Sequence, residues 1–384
     1  MVMSVACRCA QRRFMSLFTV KEIRDVSMKN QTDVTLRTMF DIGRVKSSSA
    51  ALIQSALFLR EELPIRLAKR VLELENLPYG LSAMPSVKKV HNLYVDSFKL
   101  LNNSPKPNTA QGELEFKEVI HGMLQRHRDV VPLMAMGIKE LKALSFNQAS
   151  GYTFIDECPF LQDFLDRFYF SRIGIRILIA HHIALHESKP GWVGVIQEEC
   201  SPAKVLADAI SDSSELCERT LGMVPEVEVK GHVKLAFPYI PDHIHYILFE
   251  LLKNSMRAVV EKHGKSNGEL PPIEIVIADG EDDIVMKVTD CGGGIRRKDI
   301  DLVWTYSYTT APTPKNPIDS DKNASIGGLI GAPMAGFGYG LPISRLHARA
   351  FKGDLVLIPM DGYGLDAYLY LTKLSSATAS AVPK

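Results

Sequence analysis

The chain has 384 residues, with 45 Lys and Arg against 44 Asp and Glu for a net charge of +1. A chain of this length has room for two or three domains with sizeable cores, and the balanced charge leaves no electrostatic footprint for nucleic acid. Its six cysteines are scattered without a CxxC pair, which fits a reducing compartment rather than a disulfide frame, and no apolar run reaches the roughly 20 residues of a bilayer span.

From Met1 to Lys21 the chain carries Arg8, Arg12, Arg13 and Lys21 and no acid, with Ser and small apolar residues between them. That is the composition of a mitochondrial transit peptide, and residues 1–28 are set outside the expected fold. Helical periodicity then runs from about Ser47 to Ala184, in stretches near 48–75, 86–102, 112–143 and 157–187 that suit a four-helix bundle. Pro78-Tyr-Gly80 and the segment from Asn102 to Asn108 are turn-rich breaks between them. Lys189-Pro-Gly191 ends the last stretch, so a first domain is expected over 29–190 and a second over 191–375, with a flexible tail at 376–384. Within the last helix His181, His182 and His186 include a pair one turn apart, a spacing compatible with a metal, but no Cys or carboxylate of matching geometry accompanies them.

Three blocks in the second half carry the chemistry. Asp242 to His263 reads as a helix. Ile244, Ile247, Leu248, Leu251, Ala258 and Val259 fall on one face, and Glu250, Lys253, Asn254, Arg257 and Glu261 on another. Such a mixed-charge stripe also fits an ordinary solvated face. Asn254, however, is a poor interior helix residue whose hard amide oxygen suits Mg²⁺, and Glu250 lies one turn earlier, where a carboxylate can activate a nucleophile. Next, Ile273–Ala278 and Ile284–Thr289 flank Asp279-Gly-Glu-Asp-Asp283, a hairpin signal. Asp290 ends the second strand and precedes three glycines. A carboxylate there can accept a hydrogen bond from an adenine amino group, although a plain glycine turn reads the same way. Finally, Gly336-Phe-Gly-Tyr-Gly340 precedes a helical run, Leu341–Arg349, and such glycines bring backbone N–H groups to an anion at a helix N-terminus. Between the last two blocks, Thr309 to Gly331 is a long irregular segment of the kind that forms active-site lids or a disordered insertion.

An Asn-bearing helix, Asp-x-Gly-x-Gly and Gly-x-Gly-x-Gly in that order resemble the N, G1 and G2 boxes of the ATPase superfamily shared by gyrase, the large heat-shock chaperones, MutL and histidine kinases. This resemblance covers about Pro238 to Leu374 and implies an α/β sandwich holding ATP and Mg²⁺ between the boxes and the lid. The positions implied for nucleotide are Glu250, Leu251, Leu252, Lys253, Asn254, Ser255, Met256 and Arg257 on the helix, then Asp290, Gly292 and Gly294. Thr309 and Thr310 of the lid follow, and Gly336, Phe337, Gly338, Tyr339, Gly340 and Leu341 complete the set, with Asn254 as the metal ligand.

Four further segments narrow the family. Phe58-Leu-Arg-Glu-Glu-Leu-Pro-Ile-Arg-Leu-Ala68, Pro85-Ser-Val-Lys-Lys-Val90, Arg126-His-Arg-Asp-Val-Val-Pro132 and the stretch from Phe164 to Arg176 resemble the mitochondrial α-ketoacid dehydrogenase kinases. The likeness runs from about Lys29 to Leu374. It implies an α plus α/β fold, a helical regulatory domain before the ATP domain, and location in the mitochondrial matrix. The implied activity is phosphorylation of a serine on the decarboxylase subunit of a dehydrogenase complex, with the lipoyl-bearing acyltransferase core as scaffold and a homodimer as the working form. Catalysis is implied for Glu250 as base with His127 as its partner. A pocket for a small carboxylate is implied at Tyr94, Ser97, His127, Ser171, Arg172, Ile175 and Arg176. Tyr306–Pro314, Met360–Tyr368, Glu62–Arg66 and Leu77–Leu81 resemble the pyruvate-specific branch. His181–Glu187, Lys189-Pro190 and Gly231-His-Val233 resemble the branched-chain kinase instead, and pyruvate is the favoured substrate family. After Leu374 a Ser- and Ala-rich stretch stands where animal pyruvate dehydrogenase kinases carry an aromatic cross-over tail. A histidine kinase and a non-transferring ATPase module remain as rival classes, although no receiver pattern accompanies the ATP motifs.

Overall fold

The computed structural model describes residues 20–44, 49–146, 158–187, 189–264, 269–310 and 338–374. The chain packs as two compact units. Among the described residues, one holds those of 20–33 and 49–146, and the other those of 34–44 and 158–374.

The first unit is helical. A short helix α1 covers 20–27, and α3 (Ser49–Glu75), α4 (Pro85–Asn103), α5 (Ala110–Arg126) and α6 (Val130–Phe146) follow, with a 3₁₀ turn at Pro78–Ala83 between α3 and α4. Apolar residues spaced three and four apart on α3, including Leu59, Leu63, Leu67, Val71 and Leu74, are buried, and α3 packs against α4 and α5 while α4 packs against α6. Arg66 is fully buried on α3. It forms an ion pair with Glu62 at 2.8 Å and donates to the Thr32 carbonyl at 3.0 Å, while Glu62 accepts from the Thr32 amide at 3.1 Å. This pair ties the extended chain at Thr32 to α3. Two helix starts follow known chemistry: Pro85 opens α4, and the Thr109 hydroxyl accepts from the Gly112 amide at 3.1 Å to cap α5. The single helix expected over 112–143 is two helices. His127 leaves helical geometry (φ −87, ψ 8), and Pro132 sits in the first turn of α6, where its missing N–H breaks no internal bond.

The second unit gathers α2 (Leu36–Arg44) and α7 (Pro159–Leu185) with an α/β assembly made of β1 (Trp192–Val193), β2 (Ile196–Cys200), α8 (Pro202–Leu221), β3 (Val227–Gly231), β4 (Phe237–Tyr239), α9 (Pro241–His263), β5 (Ile273–Asp279), β6 (Asp283–Asp290), α10 (Gly340–Arg349), β7 (Asp354–Met360) and β8 (Gly364–Thr372). Packing therefore groups α7 with the strands that follow it, although its sequence continues the helical run. A five-stranded sheet runs β3-β5-β6-β8-β7, with β3 parallel to β5 and the other pairs antiparallel, and a small antiparallel sheet runs β1-β2-β4. The β5–β6 pair is the expected hairpin. Along β6 burial alternates residue by residue. Ile284, Met286 and Val288 form the core face, with Leu371, Leu369 and Ala367 of β8 opposite them, and α9 and α10 cover this sheet while α8 packs on α9. The chain is thus an α plus α/β protein. Among the described residues no helix is long and apolar enough to cross a membrane.

Candidate functional site

A cavity of about 450 Å³ opens beside α9 in the second unit. Pro241 starts this helix, Asp242 lies in its first turn and Lys262 in its last, where the helix dipole favours their charges. Ile244, Ile247, Leu248, Leu251 and Val259 are buried as expected. Ala258 is half-buried and lines the cavity instead.

The charged stripe of α9 is the cavity wall. Glu250, Lys253, Asn254, Ser255 and Arg257 all line it. Glu250 is 5% exposed and Lys253 2%, and the Lys253 ammonium donates to Glu250 Oε1 at 2.7 Å. The other carboxylate oxygen abuts Gly340, where a Cβ would collide with it. Glu250 is therefore held on one side by a lysine and on the other by the first residue of α10, whose N-terminus favours negative charge. Asn254 is half-buried one turn further along. Arg257 is paired with Glu261 at 2.6 Å.

Asp290, 4% exposed, closes another side of the cavity. Its Oδ2 accepts from the Ser255 hydroxyl at 2.8 Å and its Oδ1 from the Gly292 amide at 2.9 Å. Burial pushes its pKa up, and these hydrogen bonds pull it back. The glycines after it are required by close approach. A Cβ on Gly292 would strike Ala258 of α9, and one on Gly294 (φ +70) would strike the carbonyls of Met360 and Gly364.

Thr309, Thr310, Gly338, Gly340 and Leu341 line the cavity where α10 begins. Gly338 has φ +75 and lies against the Tyr308 carbonyl, so the chain entering α10 runs beside the threonine segment. Gly336, Phe337 and the rest of 311–337 lie outside the described residues.

Other residues expected at the site stand elsewhere. Leu252 and Met256 are fully buried in the core behind α9, and Tyr339 is 6% exposed among other tyrosine rings. In the first unit, His127 caps α5, lies in hydrogen-bond contact with the Ser97 hydroxyl at 2.8 Å and meets the Tyr94 ring edge-on at 4.8 Å. In the second unit, Ser171, Arg172 and Ile175 are buried on α7 and Arg176 is half-buried. Sequence reasoning missed the cavity contributions of Arg296, Asp299, Tyr308, Leu365 and Ala367. The last two come from β8 and carry no local signal, whereas Tyr308 adjoins the singled-out Thr309 and Thr310.

The profile of the mitochondrial branched-chain α-ketoacid dehydrogenase kinases matches residues 33–197, and that of the histidine kinase-, DNA gyrase B- and HSP90-like ATPases matches 239–374. The second match spans every described wall of the cavity. A mitochondrial pyruvate dehydrogenase (acetyl-transferring) kinase of Arabidopsis thaliana is 43% identical over 360 residues, covering 93% of this chain and 95% of that protein. The corresponding kinase of Drosophila melanogaster is 38% identical (92% of this chain, 84% of that protein), and isozyme 4 of Homo sapiens is 37% identical (94% and 86%). With relatives this similar along nearly its whole length, the chain belongs to the mitochondrial α-ketoacid dehydrogenase kinase family.

Proposed function

We propose that this chain is a mitochondrial protein kinase that uses ATP to phosphorylate serine on the decarboxylase α subunit of the pyruvate dehydrogenase complex, inactivating it. The observation that carries the reading is the cavity on α9, where a clamped carboxylate, an amide and a strand-end aspartate converge beside the N-terminus of α10. The names of the Arabidopsis, Drosophila and human relatives supply the substrate.

In this reading Asp290, fixed by Ser255 and Gly292, accepts from the adenine amino group, and the α10 N-terminus with Thr309 and Thr310 faces the phosphates. Glu250 takes the proton of the attacking serine. Positioning and charge stabilisation supply most of the rate. Mg²⁺, when bound, neutralises phosphate charge. The half-buried Asn254 amide on the cavity wall, near the Glu250 carboxylate, is a hard oxygen donor that fits it. Lys253 keeps the Glu250 carboxylate in place, and His127 serves catalysis as the family resemblance implies. Residues 29–190 are the regulatory domain with its four-helix bundle, and 191–375 the kinase domain. Arg172 anchors a small regulatory carboxylate through its guanidinium fork, with Tyr94, Ser97, Ser171, Ile175 and Arg176 as the further residues of that regulation. A homodimer in the mitochondrial matrix, docked on the lipoyl-bearing acyltransferase core, is the proposed working form.

A second reading, the branched-chain complex as substrate, is favoured by the profile that matches 33–197. Offering labelled ATP with each purified complex decides between them, with Glu250→Gln as the inactive control. The pyruvate complex should lose activity and gain acid-stable label. Inactivation of the branched-chain complex alone would overturn the substrate assignment, and acid-labile label would overturn serine as the acceptor.

A further inference from the structure

Two chain segments that belong to no helix ladder or strand pair, 306–310 and 338–339, bring Tyr308, Thr309, Thr310 and Gly338 to the cavity wall. Both are held by side chains of α7. Tyr306 is 1% exposed. Its phenol donates to Asp166 Oδ1 at 2.6 Å, and its backbone amide donates to Gln162 Oε1 at 2.8 Å. Its ring lies 5.3 Å from those of both Tyr169 and Tyr339, and Tyr169 meets Tyr339 edge-on at 5.9 Å. One ring from α7 thus packs against one ring from each segment.

The backbone beyond this anchor is strained. Ser307 has φ 66, in the left-handed region that non-glycine residues rarely adopt. Such a conformation persists where its surroundings over-determine it, and Tyr306, fixed at both amide and phenol, supplies that constraint one residue earlier. After Ser307 the chain brings the Tyr308 carbonyl against Gly338 and turns Thr309 and Thr310 to the cavity.

We propose that Asp166, Gln162 and Tyr169 are positioning residues for the nucleotide: through Tyr306 and Tyr339 they hold Thr309, Thr310 and Gly338 at the wall that receives the phosphates. This rests on the ATP-site reading above. The anchor acts on affinity. A nucleotide binding to a wall that is already ordered loses less entropy than one that must order it, so loosening the anchor raises Kd and KM for ATP. It leaves Glu250 and Asn254 in place, so turnover at saturating ATP is preserved.

The test uses the full chain, with MgADP affinity by calorimetry and KM and kcat for ATP on the pyruvate dehydrogenase complex. Tyr306→Phe, which keeps the ring and loses the phenol, should weaken MgADP binding and raise KM about tenfold, as expected for one charge-assisted hydrogen bond, with kcat within about twofold. Asp166→Ala should do the same, and Asp166→Asn, which retains an acceptor oxygen, should recover most of the affinity. The double variant Tyr306→Phe/Asp166→Ala should bind no more weakly than either single one, since the bond is already lost. Asp166 is exposed, so its variants carry the comparison should Tyr306→Phe fail to fold. A merely structural role would lower the folded fraction and leave the affinity of the folded protein unchanged. That result, or additive losses in the double variant, overturns the proposal. A wild-type chain that binds no nucleotide overturns the ATP-site reading and this proposal together, whereas wild-type binding with unchanged variant affinity overturns the proposal alone.

Discussion

Replacing Lys253 by Met removes one ammonium and strands one buried carboxylate. Lys253 Nζ lies 2.7 Å from Glu250 Oε1, with the side chains 3% and 6% exposed, so little water reaches either group. Glu250 cannot turn away, because its other oxygen is already against Gly340. Breaking a buried pair from one side costs about 3–5 kcal/mol, most of it the penalty of the uncompensated charge. At about 2–4 °C per kcal/mol for a unit of this size, the melting midpoint of the second unit should fall by about 6–20 °C. The neutral double variant Glu250→Gln/Lys253→Met should recover most of this loss, because no charge is then left buried.

Both tryptophans of the chain, Trp192 and Trp304, belong to the second unit, so intrinsic fluorescence during urea unfolding follows the unit that carries the pair. Midpoint and slope for wild type, both single variants and the double variant close a mutant cycle whose interaction energy is the coupling itself. A loss below about 1 kcal/mol for Lys253→Met, well under the range for a broken buried pair, would refute the reasoning. So would a double variant that costs the sum of the two single ones. Either result would mean that water compensates Glu250 and that Lys253 is free to serve another group in the cavity.

The same pair shows where sequence reading stops. Glu250, Lys253, Asn254 and Arg257 make a mixed-charge stripe, and a charged helix face has the same periodicity whether it meets bulk water or a polar cavity. Only packing distinguishes the two, and Glu250 and Lys253 prove buried. Local signals were legible where one residue type has few uses. The period from Asp242 to His263 marked α9, five residues between alternating runs marked the β5–β6 hairpin, and the apolar positions Ile244, Ile247 and Leu248 found the core. The break between α5 and α6 was written in Pro132, yet Val130 to Leu141 continued the apolar period and hid it. Leu365 and Ala367 enter the cavity wall from a strand far along the chain, and Asp166 reaches Tyr306 across 140 residues. Neither pairing leaves a mark in spacing, since both depend on which surfaces the fold brings together.

Asn254→Ala should lose the Mg²⁺-dependent part of nucleotide affinity if its amide oxygen is the metal ligand, as proposed; equal ADP affinities with and without Mg²⁺ in the variant, against unequal ones in wild type, are the expected calorimetric result. Arg172→Ala should abolish inhibition by pyruvate-like acids while basal kinase activity survives, and equal inhibition of wild type and variant would move the acid to the nucleotide site. Burial holds His181 and His243 at about 4, well below the ordinary 6.5, and also holds His347 well below it, with His243, Arg176 and Arg172 adding repulsion there. His243 and His347 approach at 3.3 Å between Nδ1 atoms, so neither can take a proton without burying a charge beside the other. The unfolded chain protonates these groups near 6.5 and the folded chain does not, so the stability they contribute is complete above pH 6.5 and is lost as pH falls toward 4. By pH 5 that loss is roughly 2 kcal/mol for each of His181 and His243. Asp166, Asp242 and Asp290 oppose it, because their raised pKa values let the folded state take up protons first as the solution acidifies. The losses at His181 and His243 add in the window from 6.5 to 5 and set the expected direction. Urea midpoints should therefore drop between pH 7 and pH 5. A flat profile across that interval would mean that the folded protein opens these sites to protons, and that the histidine cluster is not sealed from solvent.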